Sequence, residues 1–92
     1  MHQLASLTPN GLRCAAAEQR RRETIGRNIA RAREGAGLSQ LQLAEQLGVD
    51  RGVVSKWERG RREPRADVLE AISALFEHGD DLGWLYQKVQ GE

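Results

Sequence analysis

Leu38-Ser39-Gln40-Leu41-Gln42-Leu43-Ala44-Glu45-Gln46-Leu47-Gly48-Val49-Asp50-Arg51-Gly52-Val53-Val54-Ser55-Lys56-Trp57-Glu58-Arg59-Gly60, with Pro64 just beyond, reads as two short helices joined by a tight glycine turn. Ser39 suits an N-cap, because its hydroxyl can accept a bond from a first-turn N–H that has no partner inside the helix. Leu41, Leu43, Ala44 and Leu47 recur on a helical period, and Gly48 suits the left-handed position that ends a helix. The spacing predicts a helix over 40–47. Asp50 then offers a cap for a further helix over 51–59, where Gly60 supplies a stop and Pro64 prevents continuation. Within it, Val54 and Trp57 face inward together with Val53 at the flank. Gly52, Ser55, Lys56 and Arg59 share the opposite, exposed face at i, i+3, i+4, i+7.

Working outward, Gly35-Ala36-Gly37 ends a preceding helix expected over 24–34, with Ile25, Ile29 and Ala32 as its inner stripe. Gly26 weakens that helix slightly. The alanine-rich run 12–19 also favours helix, and either continues through Arg20-Arg21-Arg22 or is separated by a cap at Thr24. Before it, Thr8-Pro9-Asn10-Gly11 is a turn signal, so a loose or partly ordered arm is expected at the start of the chain. Downstream, a helix over 65–76 carries Val68, Leu69, Ile72, Leu75 and Phe76 inward, and His78-Gly79-Asp80 breaks the chain. A last helix over 81–89 sets Leu82, Leu85, Tyr86 and Val89 on one stripe. The expected fold is all-α, a compact bundle of about five short helices with an N-terminal extension. It divides into an N-terminal arm or helical extension (1–22), a central domain (23–77) and a C-terminal helix (78–92).

Ninety-two residues leave room for one small core. A content of 39% hydrophobic and 29% charged residues suits a soluble domain, and no apolar run approaches the roughly 20 residues of a membrane span. No membrane association is expected. The first seventeen residues lack the charged start and apolar block of a secretory signal, so the expected location is cytoplasmic. Cys14, the single cysteine, reads as an incidental small apolar residue rather than a reactive thiol. His2 and His78 stand alone, no Cys/His spacing fits a metal, and no glycine loop follows a strand to cradle a phosphate. No enzyme activity, metal or cofactor is therefore expected. The net charge of +1 conceals a gradient of +4 over 1–38, +2 over 39–66 and −5 over 67–92. Such a gradient implies one side suited to a polyanion and one kept away from it.

The ordered series Leu38-Ser39-Gln40, Leu43-Ala44, Gly48-Val49, Val54-Ser55, Trp57-Glu58-Arg59-Gly60 and Glu63-Pro64 resembles the helix-turn-helix domain of the phage repressor and Cro type, the XRE family. The resemblance covers residues 25–76. It implies a lambda-repressor-like domain that binds double-stranded DNA with its third helix in the major groove. The positions it sets against base edges are Arg51, Gly52, Val53, Ser55 and Lys56. Arg51 opposes the helix dipole in the first turn and so contributes nothing obvious to folding, whereas its guanidinium fork matches guanine O6 and N7. Solvation or a phosphate contact are its other uses. Lys56 reaches either a guanine or a phosphate. Gly52 departs from the polar residue expected there, and either lets the helix approach the bases closely, freeing Val53 to meet a thymine methyl, or is a tolerated glycine.

Ser39 and Gln40 open the second helix, where N–H groups point outward and the family grips a phosphate. Arg59, Arg61, Arg62 and Arg65, and the run Arg20, Arg21, Arg22, are expected as further phosphate contacts. The resemblance also implies a structural salt bridge between Arg33 and Glu58, tying the third helix to the first.

Repressors of this type bind near-palindromic operators as dimers, so a homodimer is expected. Its candidate surface is Trp84, Leu85, Tyr86 and Val89 on the last helix, since Trp84 lies off the stripe of Leu82 and Leu85. Trp84 either meets a partner or folds back onto the fourth helix. The expected function is a sequence-specific transcription regulator, a phage or prophage-type repressor. The alternative is an antitoxin-like protein that binds a toxin and autoregulates its promoter. A protein partner such as an antirepressor or toxin fits either reading, and the self-cleaving serine-lysine domain of some phage repressors has no room in this chain.

Overall fold

A computed structural model describes residues 2–88 of the chain, with their side chains from residue 15 onward. Five helices follow one another, with no strand among the described residues: α1 (His2–Gly35), α2 (Gln40–Leu47), α3 (Arg51–Glu58), α4 (Ala66–Leu75) and α5 (Gly83–Tyr86). Val89, and the side chains of His2 and Cys14, lie outside the described residues.

The α2 ends are built as the sequence dictates. The Ser39 hydroxyl accepts the N–H of Gln42 at 3.0 Å, and the Gln42 side-chain oxygen accepts the N–H of Ser39 at 2.8 Å, closing a reciprocal capping box. Gly48 leaves the helix at φ 70°, which frees Val49 N–H to reach the Ala44 carbonyl at 3.0 Å. Asp50 sits at the start of α3 in extended backbone, but its carboxylate makes no capping bond, contrary to expectation. The reason is local: Val53 N–H, the donor such a cap would take, is bonded at 3.0 Å to Asp50's own carbonyl. Gly60, at φ 73°, closes α3, with Gly60 N–H on the Trp57 carbonyl and Arg61 N–H on that of Lys56.

Two elements depart from the sequence reading. The turn signal at residues 8–11 does not interrupt α1, which runs unbroken through it and on through Arg20-Arg21-Arg22, the first of the two courses open to that run. Turn preference there is a local term, and apart from Pro9, which has no N–H to donate, each residue added to the helix gains a hydrogen bond. The expected helix over 81–89 is a single turn. Gln87 has extended backbone, φ −79° and ψ 134°, because Asn28 Nδ2 on α1 donates to the Leu85 and Gln87 carbonyls, at 2.9 Å each. That clamp draws the chain along α1 instead of letting it coil.

Every helix contributes to one core: Ile25 and Ile29 from α1, Leu43 and Ala44 from α2, Val54 and Trp57 from α3, Leu69 and Ile72 from α4, Leu85 from α5. Val53, Leu47, Val49 and Val68 pack at its edge. Among the described residues, no helix is long and apolar enough to cross a membrane.

Candidate nucleic-acid interface

The orientation of α3 is set first by two glycines. A Cβ at Gly26 would collide with the carbonyl of Trp57 and stand 2.9 Å from that of Glu58, so only glycine lets α1 touch the end of α3. Gly60 meets α1 equally closely, since a Cβ there would lie 2.7 Å from Glu23 Cγ. Gln19 adds a polar tie, its Nε2 donating to the Gly60 carbonyl at 3.2 Å.

A buried ionic network then fixes α3 against α1 and α2. Arg33 grips Glu58 with both edges of its fork, Nε to Oε2 at 2.7 Å and Nη2 to Oε1 at 3.1 Å. The two side chains are only 12% and 8% exposed. Arg33 Nη1 donates to the Leu38 carbonyl at 2.8 Å, and Gln40 Nε2 donates to Glu58 Oε1 at 3.0 Å. The hydrogen bond to Glu58 raises the Arg33 pKa, against the opposing effect of burial. Each of the three nitrogens of this buried fork has an acceptor, as an ion pair out of water requires.

With Val54 and Trp57 turned into the core, the opposite side of α3 faces solvent. Arg51, Gly52, Lys56 and Arg59 are exposed there, and Ser55 and Val53 are half-buried. The side chains of Arg51, Lys56, Arg59, Arg61 and Arg62 make no hydrogen bond or ion pair with any other described residue. Gly52 is the exposed second residue of α3, and the nearest atom to a Cβ built on it is Asp50 Oδ2, at 3.4 Å. The fold therefore has room for a side chain at 52. At the adjoining end of α2, the first two N–H groups open outward beside Ser39 and Gln40. The Ser39 oxygen already accepts from Gln42, which leaves its hydroxyl proton to donate.

Beyond α3, Arg59, Arg61, Arg62 and Arg65 form an exposed basic margin. Arg65 is partly occupied, donating to Asp67 Oδ2 at 3.0 Å and holding that carboxyl below its usual pKa. The run on α1 lies apart from this margin in its bonding. Arg21 pairs with Glu63 at 3.1 Å, Arg22 donates to Gln19 Oε1 at 2.7 Å, and Arg20 faces a groove beside Tyr86 and Lys88.

The expected dimer residues are rearranged. Leu85 is fully buried and completes the core instead of facing a partner, because the single turn of α5 lies against α1. Trp84 folds back onto α4, the second of its two expected placements. Its Nε1 donates to the buried Ser73 hydroxyl at 2.9 Å, its ring meets Phe76 edge-on at 6.3 Å, and His78 stacks on it at 4.3 Å. Of the three that are described, Tyr86 alone is exposed, at 46%. Asn28, Gln19 and Ser73 carry no signal of their roles in the sequence. The mid-helix Gly26 carries one, read there as a small propensity loss.

A sequence model of the helix-turn-helix family matches residues 29–77. Over 48 residues the chain is 46% identical to the HTH-type transcriptional activator BcrR of Enterococcus faecalis, covering 52% of this chain and 24% of the relative. It is 33% identical over 58 residues to the HTH-type transcriptional regulator ImmR of Bacillus subtilis, covering 63% and 46%. Likewise, it is 35% identical over 63 residues to the 26 kDa repressor protein of Escherichia phage HK022, covering 64% and 27%. The chain thus spans less than half the length of these relatives. Family match, capped helix pair and cationic outer face agree: the chain belongs to the helix-turn-helix family of DNA-binding transcription regulators, of the phage repressor and Cro type.

Proposed function

We propose that the protein is a sequence-specific repressor of the phage or prophage kind, which binds a near-palindromic operator as a homodimer. The observation that carries this reading is the outer face of α3. A buried ion pair, two glycine contacts and a core tryptophan fix the helix, yet its solvent side presents Arg51 and Lys56 without a partner among the described residues. A cation in the first helical turn costs stability against the helix dipole, so its use lies outside the fold. In this reading Arg51 makes a bidentate contact to a guanine, Lys56 meets a guanine or phosphate, and Ser55 and the half-buried Val53 complete the base-reading surface. Gly52 brings the backbone close to the bases. Ser39, Gln40, Arg59, Arg61, Arg62 and Arg65 hold phosphates and set the register. In this reading Arg21 and Arg22 stay bonded to the half-buried Glu63 and Gln19, unlike the exposed Arg65, and Arg20 faces the groove beside Tyr86 and Lys88 instead of a phosphate.

The similar proteins include a phage repressor and a transcriptional activator, so repression as the direction of regulation rests on the phage likeness alone. Trp84 is half-buried against Ser73, Phe76 and His78, so it is not an aromatic residue set out for a toxin partner. Selection of binding sites from a random duplex library tests the proposal. A two-fold symmetric motif containing guanines is expected. Binding with no enriched motif, lost uniformly as salt rises, would overturn it.

A further inference from the structure

We propose that the groove between α1 and the end of α5, lined by Ala17, Arg20, Arg21, Thr24, Tyr86 and Lys88, receives the acidic 77–81 turn of a second copy of this chain. The proposal rests on the homodimer reading above and names the surface that makes the dimer. All six lining residues lie outside the stretch that matches the family model, 29–77. The groove is a shallow site of about 430 Å³. Its floor offers one of the two large apolar side chains exposed among the described residues, the Tyr86 ring. Its rim is cationic. Arg21 is held by Glu63, but Arg20 and Lys88 have no partner among the described residues.

The complement is present on the same molecule. Glu77, Asp80 and Asp81 are exposed in the turn before α5, and none of them forms an ion pair among the described residues. Asp81 accepts the Gly83 N–H, and Glu77 and Asp80 have no side-chain bond among the described residues. Acid therefore enters α5 and base leaves it, on either side of an exposed tyrosine. Two such segments laid antiparallel about a two-fold axis bring the acidic entry of each against the basic exit of the other. The contact is made twice, as an isologous interface requires. Within one chain the two groups lie at opposite ends of the α5 turn. Across the axis, opposite charges fix the register and like charges exclude a parallel arrangement.

Sedimentation velocity on the full chain, at about 50 mM and about 0.5 M NaCl, tests this through charge exchange. One variant carries Arg20→Glu with Lys88→Glu, and the other carries Glu77→Lys with Asp80→Lys. Thermal unfolding by circular dichroism confirms that each is folded. The wild-type chain is expected to dimerise more weakly at the higher salt. Each folded variant is expected to self-associate about tenfold or more weakly than wild type, and an equimolar mixture of the two to recover a dimer. Variants that dimerise like wild type, or a mixture of folded variants that stays monomeric, would overturn the groove while leaving the homodimer reading intact. A wild-type chain that is monomeric at every concentration would overturn both.

Discussion

A methyl group at position 26 has nowhere to go, because the Trp57 and Glu58 carbonyls already occupy its place. Gly26→Ala is therefore expected to lower stability by about 1–3 kcal/mol or more, although alanine is the better helix former. A fall of about 4 °C or more in the thermal midpoint would report it. Gly52 is the opposite case. Its Cβ position is open, so Gly52→Ala is expected to stabilise the fold by up to about 1 kcal/mol while weakening DNA binding, if the backbone approaches the bases there. A variant that is more stable and binds the same sites equally well would leave position 52 without a role in recognition. Removal of either partner of the Arg33–Glu58 pair strands a buried charge. Glu58→Ala is expected to cost about 3–5 kcal/mol in denaturant unfolding.

Helix boundaries show what sequence can and cannot convey at the scale of elements. The bounds of α2 were legible because Ser39, Gln42 and Gly48 act on their own neighbours, and local chemistry is what a sequence displays. Those of α5 were not, because Asn28, nearly sixty residues away, straightens the chain after Tyr86. The same holds for Gly26 and Gly60. Their sequence neighbours account for a turn at 60 and a weak spot at 26, but not for a meeting of two helices. Of the interface, the cationic outer face of α3 followed from periodicity alone. The burial of Leu85 and the inward turn of Trp84 depended on how short α5 is. At the end of α4, Glu77 takes a left-handed conformation, φ 67°, where glycine is favoured. Glu77→Gly is expected to stabilise the protein by about 1 kcal/mol in thermal or chemical unfolding, and an unchanged midpoint would show no strain at that turn.

Charge organises the whole molecule. The margin of Arg59, Arg61, Arg62 and Arg65 flanks α3, whereas the described residues 67–88 sum to −4, with Asp67, Glu70, Glu77, Asp80 and Asp81 on α4 and in the turn that leads to α5. With the four margin arginines of each subunit neutralising about eight phosphates in a dimer, log affinity for an operator is expected to fall against log salt with a slope near −7. A slope close to zero would remove the basic margin from the account. The division of labour between that margin and α3 is the central claim: arginines outside the helix hold the backbone, and Arg51 reads sequence. Its most direct test is equilibrium binding of wild type and Arg51→Ala to the selected operator and to duplexes altered at each guanine pair. Wild type is expected to lose about 1–3 kcal/mol when the contacted guanine is replaced, and Arg51→Ala to bind the original and altered duplexes equally. An Arg51→Ala protein that binds every duplex more weakly but keeps the wild-type base preference would contradict the account.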